Sequence, residues 1–152
     1  NNFIDKENKM HKWIRICTVA LALNSIVAFA SPVVTLYKSP TCGCCEKYVS
    51  YLQQNGFVVK AINQNDMDGI KKRYGVERVA SCHTALINGY VVEGHVPVSA
   101  INKLLKEKPA IAGISVPGMQ MNSPGMGEMK KGTLTVYSIP KGDEPLKVFT
   151  VE

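Results

Sequence analysis

Three cysteines fall within four residues, Cys42, Cys44 and Cys45 in the run Cys42-Gly43-Cys44-Cys45, and a fourth, Cys82, is followed directly by His83. A disulfide needs converging side chains on alpha carbons about 4.4 to 6.8 Å apart, so the adjacent Cys44 and Cys45 cannot bridge without heavy strain. Three thiols on one tight turn can instead converge on a point, which suits a soft, thiophilic metal better than stapling. The C-terminal third adds thioethers. Met119, Met121, Met126 and Met129 lie in and beside Pro117-Gly-Met-Gln-Met-Asn-Ser-Pro-Gly-Met126, a polar stretch without helical period. Thiolate and thioether together select Cu(I), whereas zinc sites combine thiolate with imidazole. Cu(I) is therefore the favoured ion. Zinc stays open through cysteine and histidine alone, and methionine as core filler is the competing reading of the thioethers.

Two histidines accompany the cysteines. In a regular strand His83 points to the face opposite Cys82, so a backbone-bonded structural histidine competes with a ligand there. His95, in Glu93-Gly94-His95-Val96-Pro97, can support a ligand, bind Cu(II) itself or be structural, and imidazole does suit Cu(II). The adjacent Cys44-Cys45 pair raises the idea that several copper ions share bridging thiolates. A different chemistry is also spelled out: Cys42 and Cys45 form a C-x-x-C pair, as in a thiol–disulfide oxidoreductase. The extra thiol of Cys44 inside that motif, and Cys82 facing it, count against a plain oxidoreductase. A disulfide-stabilised binding module without metal is the third option.

These side chains need a scaffold that brings distant segments together. Val33–Tyr37 reads as a buried strand, and Lys38-Ser-Pro-Thr-Cys-Gly43 as a turn. Cys44–Gln54 reads as a helix stopped by Asn55-Gly56, and Phe57–Ile62 as a second strand. Asp66 or Asp68 caps a basic helix reaching Tyr74, with Gly75 past its end. Thr84–Ile87 and Tyr90–Glu93 flank Asn88-Gly89, a strong hairpin signal. A helix over Val98–Lys106 places Ile101, Leu104 and Leu105 on one face, and Thr133–Tyr137 with Leu146–Val151 forms a closing strand pair. The order β-α-β-α-β-β-α is that of a thioredoxin-like α/β fold: a central mixed sheet flanked by helices, here extended by a methionine-rich loop and two strands. In such a fold the loop after the first strand feeds a helix N-terminus, where unpaired N–H groups and the helix dipole favour thiolates. Cys82 then stands where thioredoxins carry a cis-proline, facing the cysteine turn.

The N-terminus reads as a targeting segment. Lys9, His11, Lys12 and Arg15 precede an apolar run, Ile16–Ala30, that ends in Ala28-Phe29-Ala30. That is the layout of a secretory signal peptide cleaved after Ala30, and the run is short of the roughly 20 apolar residues a spanning helix needs. Met10 reads as an initiator, with Asn1–Asn8 ahead of it and Cys17 inside the discarded run. One domain, residues 31–152, remains, with fourteen Lys and Arg against ten Asp and Glu. The excess is diffuse. Lys71-Lys72-Arg73 is its only run and reads as a solvated helix face, which argues against nucleic-acid binding. Export and the absence of a spanning segment place the domain in the periplasm without stable membrane insertion.

Taken together, Lys38-Ser-Pro-Thr-Cys-Gly-Cys-Cys45, Gly56-Phe57, Ser81-Cys-His-Thr-Ala85, Gly89-Tyr90, Glu93-Gly-His-Val-Pro97, Val116-Pro-Gly-Met119 and Ser123-Pro-Gly-Met126 resemble the CopG copper-resistance family. The resemblance runs from about Thr35 to the methionine loop. It implies a periplasmic thioredoxin-like protein that clusters Cu(I) and interconverts copper oxidation states, exchanging metal with copper chaperones or efflux components. Residue by residue, the family pattern falls on Cys42, Cys44, Cys45 and Cys82, and its methionine loop on Met119 and Met126. Met121 lies in a stretch that reads as variable, and Gly127 stands where an acidic residue is expected.

Overall fold

A computed structural model describes residues 31–152; the expected signal peptide lies outside the described residues. Strand β1 (Val33–Lys38) buries alternate residues, Val34, Leu36 and Lys38, as its pleat requires. The chain turns at Ser39–Cys42 into helix α1 (Gly43–Gln54), then returns as β2 (Val58–Asn63), parallel to β1. Helix α2 (Met67–Tyr74) starts where the Asp66 carboxylate accepts the Gly69 N–H at 2.8 Å, so Asp66 is the cap. It ends at Gly75, whose φ of 66° is the left-handed conformation glycine adopts freely. A short 3-10 turn (Glu77–Val79) leads to β3 (His83–Ile87), which pairs antiparallel with the other side of β1. Asn88-Gly89, with φ of 47° and 83°, makes the tight turn into β4 (Tyr90–Glu93).

Helix α3 (Val98–Glu107) follows, and β5 (Gly113–Ser115) then joins β4 in parallel. Strands β6 (Thr135–Ile139) and β7 (Lys147–Val151) complete one sheet in the order β2-β1-β3-β4-β5-β6-β7. The fold is thus the expected thioredoxin-like one, with the β extension added beyond β4. Strand β5 is the element the sequence does not announce. Three residues are too few to show alternation, and its Gly113 is needed for contact, since a β carbon there would lie 1.9 Å from the Val91 carbonyl oxygen. Among the described residues no helix is long and apolar enough to cross a membrane.

The main core lies between the sheet and helices α1 and α3, with Leu36, Leu52, Ile87, Val92, Ile101, Leu104 and Ile114 all buried. A smaller cluster of Val76, Val79, Val91 and Ile139 packs separately, and Val91 and Val92, adjacent in β4, serve one cluster each. At one end of the main core the apolar packing gives way to rings. His83 and His95 are 0% and 1% exposed, their ring centroids 4.8 Å apart, and Tyr48 of α1 packs against His83 with centroids 4.5 Å apart and ring planes tilted by 32°. The Tyr48 hydroxyl donates to the Val96 carbonyl at 2.7 Å.

Burial disfavours the imidazolium form and holds both histidines below their ordinary range, His83 furthest. A base whose folded pKa is lowered binds more protons when unfolded, so stability rises with pH up to the unfolded value and is lost below it. The melting temperature of the metal-free protein should therefore fall as pH drops from about 6.5 toward 5, the range in which unfolded histidine takes up its proton. His83→Phe should flatten that slope. Calorimetry across this range checks it, and an equal slope in the variant would remove His83 as the cause.

Candidate metal centre

The cysteine turn is built by the ends of β1 and α1. The Cys42 N–H donates to the Ser39 carbonyl at 3.2 Å, and the Cys42 carbonyl accepts the Glu46 N–H at 3.3 Å, so Cys42 sits at the head of the helix. Lys38 ties this end to the sheet. Its ammonium, buried at the end of β1, reaches Glu46 Oε1 at 2.6 Å and Asn63 Oδ1 at 2.8 Å, joining β1, the first turn of α1 and β2.

Cys42 and Cys45 are joined in a disulfide across alpha carbons 5.3 Å apart, whereas Cys44 and Cys82 are free thiols. The expected meeting of the two segments is present. Cys44 Sγ lies 3.5 Å from Cys42 Sγ and 3.7 Å from Cys82 Sγ, although Cys44 and Cys82 are 38 positions apart in sequence. Two donor groups result, each with its ligand atoms within 4.8 Å of one another: Cys42, Cys44 and Cys45, and Cys44, Cys82 and His95. Cys44 belongs to both. Burial, with Cys44 beside it, pushes the Cys82 thiol up to about 11, so a metal taking this sulfur must displace its proton.

The imidazoles divide as follows. His95 Nδ1 lies 2.7 Å from the Pro124 carbonyl, which can only accept, so Nδ1 carries the proton. His95 Nε2 is then a buried lone-pair nitrogen with no hydrogen-bond partner among the described residues. Both nitrogens of His83 are likewise without one, yet His83 joins neither donor group and packs on His95 and Tyr48 instead.

The methionine loop lies over the same end of α1. Ser123 and Pro124 are buried, and a β carbon on Gly125, φ 80°, would stand 3.0 Å from Tyr48 N and 3.3 Å from the Cys44 carbonyl oxygen. Met126, beside this contact, is half-buried, whereas Met119 and Met121 are 63% and 67% exposed and Met129 is 38% exposed. The loop brings its backbone to the cysteines and leaves most of its thioethers facing solvent.

One group at this end was not legible in the pattern. Lys71 is not on a solvated face with Lys72 and Arg73; it is buried, its Nζ 2.6 Å from Glu93 Oε1, and Glu93 is itself fully buried. Helical spacing turns Lys71 inward while Lys72 and Arg73 stay exposed. The only hint in sequence is an acidic residue ending an otherwise apolar strand.

Residues 79–126 match the family model described as "Protein of unknown function, DUF411". Among curated proteins none matches. Two solved structures are similar to this chain. "Copper resistance protein copG- Form 2" is 34% identical over 80% of this chain and 98% of that one, with a TM-score of 0.72. "Copper resistance protein copG- Form 1" is 34% identical over 79% and 96%, with a TM-score of 0.71. Identity at that level across nearly the whole length of the matched chains, in the same fold, places this chain in the CopG copper-resistance family.

Proposed function

We propose that this chain is a copper-handling protein that holds Cu(I) on Cys42, Cys44, Cys45 and Cys82, for copper resistance or homeostasis in the periplasm. The observation that carries this reading is the approach of Cys44 and Cys82, two unpaired sulfurs 3.7 Å apart on segments distant in sequence. The orphaned His95 Nε2 adds a nitrogen donor to them. The donor set fits a soft ion: thiolates first, one imidazole beside them, and thioethers in the overlying loop. Reduction of the Cys42–Cys45 disulfide, by two electrons and two protons, frees the other two sulfurs. Cys44, shared by both donor groups, would then bridge, which is the basis for more than one copper per chain. Met126 is the thioether nearest to a buried role, Met119 serves as a more exposed donor, and His83 supports His95 from behind. An imidazole next to thiolates also gives Cu(II) a foothold, so interconversion of the two oxidation states belongs to the same proposal. Copper chaperones or efflux components of the periplasm are the partners this role calls for.

A second reading has its own support. The Cys42–Cys45 disulfide at the head of α1 is the arrangement of a thiol–disulfide oxidoreductase. In that role Cys44 and Cys82 would be bystanders.

Anaerobic Cu(I) titration of the reduced protein, followed by thiolate-to-copper ultraviolet absorbance, separates the two. Saturation beyond a single equivalent per chain, reduced in Cys44→Ser, is expected. No copper binding, together with insulin-disulfide reduction that survives Cys44→Ser, would replace the copper reading by the oxidoreductase one. The oxidised protein, with Cys42 and Cys45 withheld, should bind fewer equivalents than the reduced one in the same titration. For export, the protein recovered from a periplasmic fraction should begin at Ser31 on N-terminal sequencing; an intact N-terminus there would count against cleavage after Ala30.

A further inference from the structure

Glu93 ends β4 with a carboxylate that is 0% exposed. Its Oε1 accepts from Lys71 Nζ at 2.6 Å and from the Ser81 backbone N–H at 2.7 Å, and its Oε2 accepts from Thr84 Oγ1 at 2.7 Å. A buried carboxylate is costly unless it is paired and hydrogen-bonded, and even then replacement of such a pair by apolar residues often leaves stability unchanged. Its clearest effect is on geometry.

The geometry it sets is that of Ser81, the residue before Cys82. Cys82 precedes β3, which begins at His83, so the strand ladder does not hold it. Ser81 is held instead. Its N–H goes to Glu93, its hydroxyl donates to the Gly118 carbonyl, and it forms an isolated backbone bridge with Gly118. The Gly118 N–H donates to the Ala80 carbonyl at 3.0 Å. Gly94, next to Glu93, completes the contact: a β carbon there would lie 2.5 Å from the Val116 oxygen and 2.6 Å from Ser81 Oγ. The end of β4, the turn carrying Cys82 and the root of the methionine loop therefore meet at one point, with Glu93 beneath it.

We propose that Glu93, partnered by Lys71, is the positioning residue of this metal centre: it holds the Ser81-Cys82 turn so that Cys82 meets Cys44. Its importance for metal rests on the copper reading above, but the approach of the two sulfurs can be read without copper. In a Cys42→Ser, Cys45→Ser parent, diamide oxidises Cys44 and Cys82 to a disulfide, taking up two electrons and two protons to become the hydrazine. Mass spectrometry of the linked peptides gives the rate. Lys71→Met with Glu93→Ala removes the acceptor and its cation together, while Lys71→Met with Glu93→Gln keeps an amide oxygen for the Ser81 N–H. Loss of that one buried hydrogen bond should slow cross-linking roughly tenfold in the alanine pair, and the glutamine pair should stay within about threefold of the parent. Leu104→Ala, which opens a cavity in the core against α3, should lower the melting temperature and leave the rate unchanged. The proposal is overturned if the alanine pair cross-links at the parental rate, if the glutamine pair is as slow as the alanine pair, or if Leu104→Ala slows it equally. With all four cysteines present, the alanine pair should also lose the copper that Cys82→Ser loses. A parent that binds no copper but shows the expected cross-linking order would remove the copper reading and leave the positioning role standing.

Discussion

The pairing of Lys38 with His83, last residue of β1 against first residue of β3, is the contact on which the rest of the centre depends. Because β1 and β3 run antiparallel, the exit of one and the start of the other lie at the same end of the sheet. The turn after β1 therefore carries Cys42, Cys44 and Cys45 to where the segment before β3 carries Cys82. Register matters as much as direction. A slip by one residue would turn every side chain of β3 to the other face and take His83 from beneath Tyr48. The parallel β1–β2 ladder and the Lys38 contacts to Glu46 and Asn63 then fix the turn relative to the strand.

Much of the protein's buried polarity is gathered at this end. Lys38, Lys71, Glu93, His83 and His95 are all buried, in a core that is otherwise largely aliphatic and aromatic. Buried charges and unpartnered imidazoles weaken a fold unless something compensates. The charges are compensated by each other, through Lys38 with Glu46 and Lys71 with Glu93. The free ring nitrogens of His83 and His95 have no such partner among the described residues. Local departure from the best packing is what a site built for chemistry looks like.

The state of the sulfurs adds a second level of control. With Cys42 and Cys45 bonded, Cys44 sits between the disulfide and the thiol of Cys82, within 3.7 Å of a sulfur on each side. Under the proposed function, thiol redox and metal occupancy would draw on the same atoms, so neither could change without affecting the other. The two functional readings differ in which of these equilibria serves the cell: both use Cys42 and Cys45, and the copper reading also needs Cys44 and Cys82.

Short-range chemistry was legible in the residues alone. The C-x-C-C run and Cys82 marked the candidate donors, Asn88-Gly89 the hairpin and Asp66 with Gly75 the limits of α2, because each is decided by neighbours a few residues away. The element order was enough to suggest the thioredoxin-like fold, and from it the meeting of Cys82 with the cysteine turn. Three matters needed the folded chain. Strand β5 forms from three residues because β4 and β6 are there to pair with it. Lys71 looked solvated within Lys71-Lys72-Arg73, and only the packing of α2 beside β1 and β3 turned it onto Glu93. The exposure of Met119 against the half-burial of Met126 follows from where Gly118 and Gly125 fasten the loop. The sequence by itself determined which atoms could bind metal, since that is a property of side-chain types and local spacing. Tertiary structure decided which of them meet and which carry charge inside the core, because those depend on distances and burial set by segments far apart in the chain.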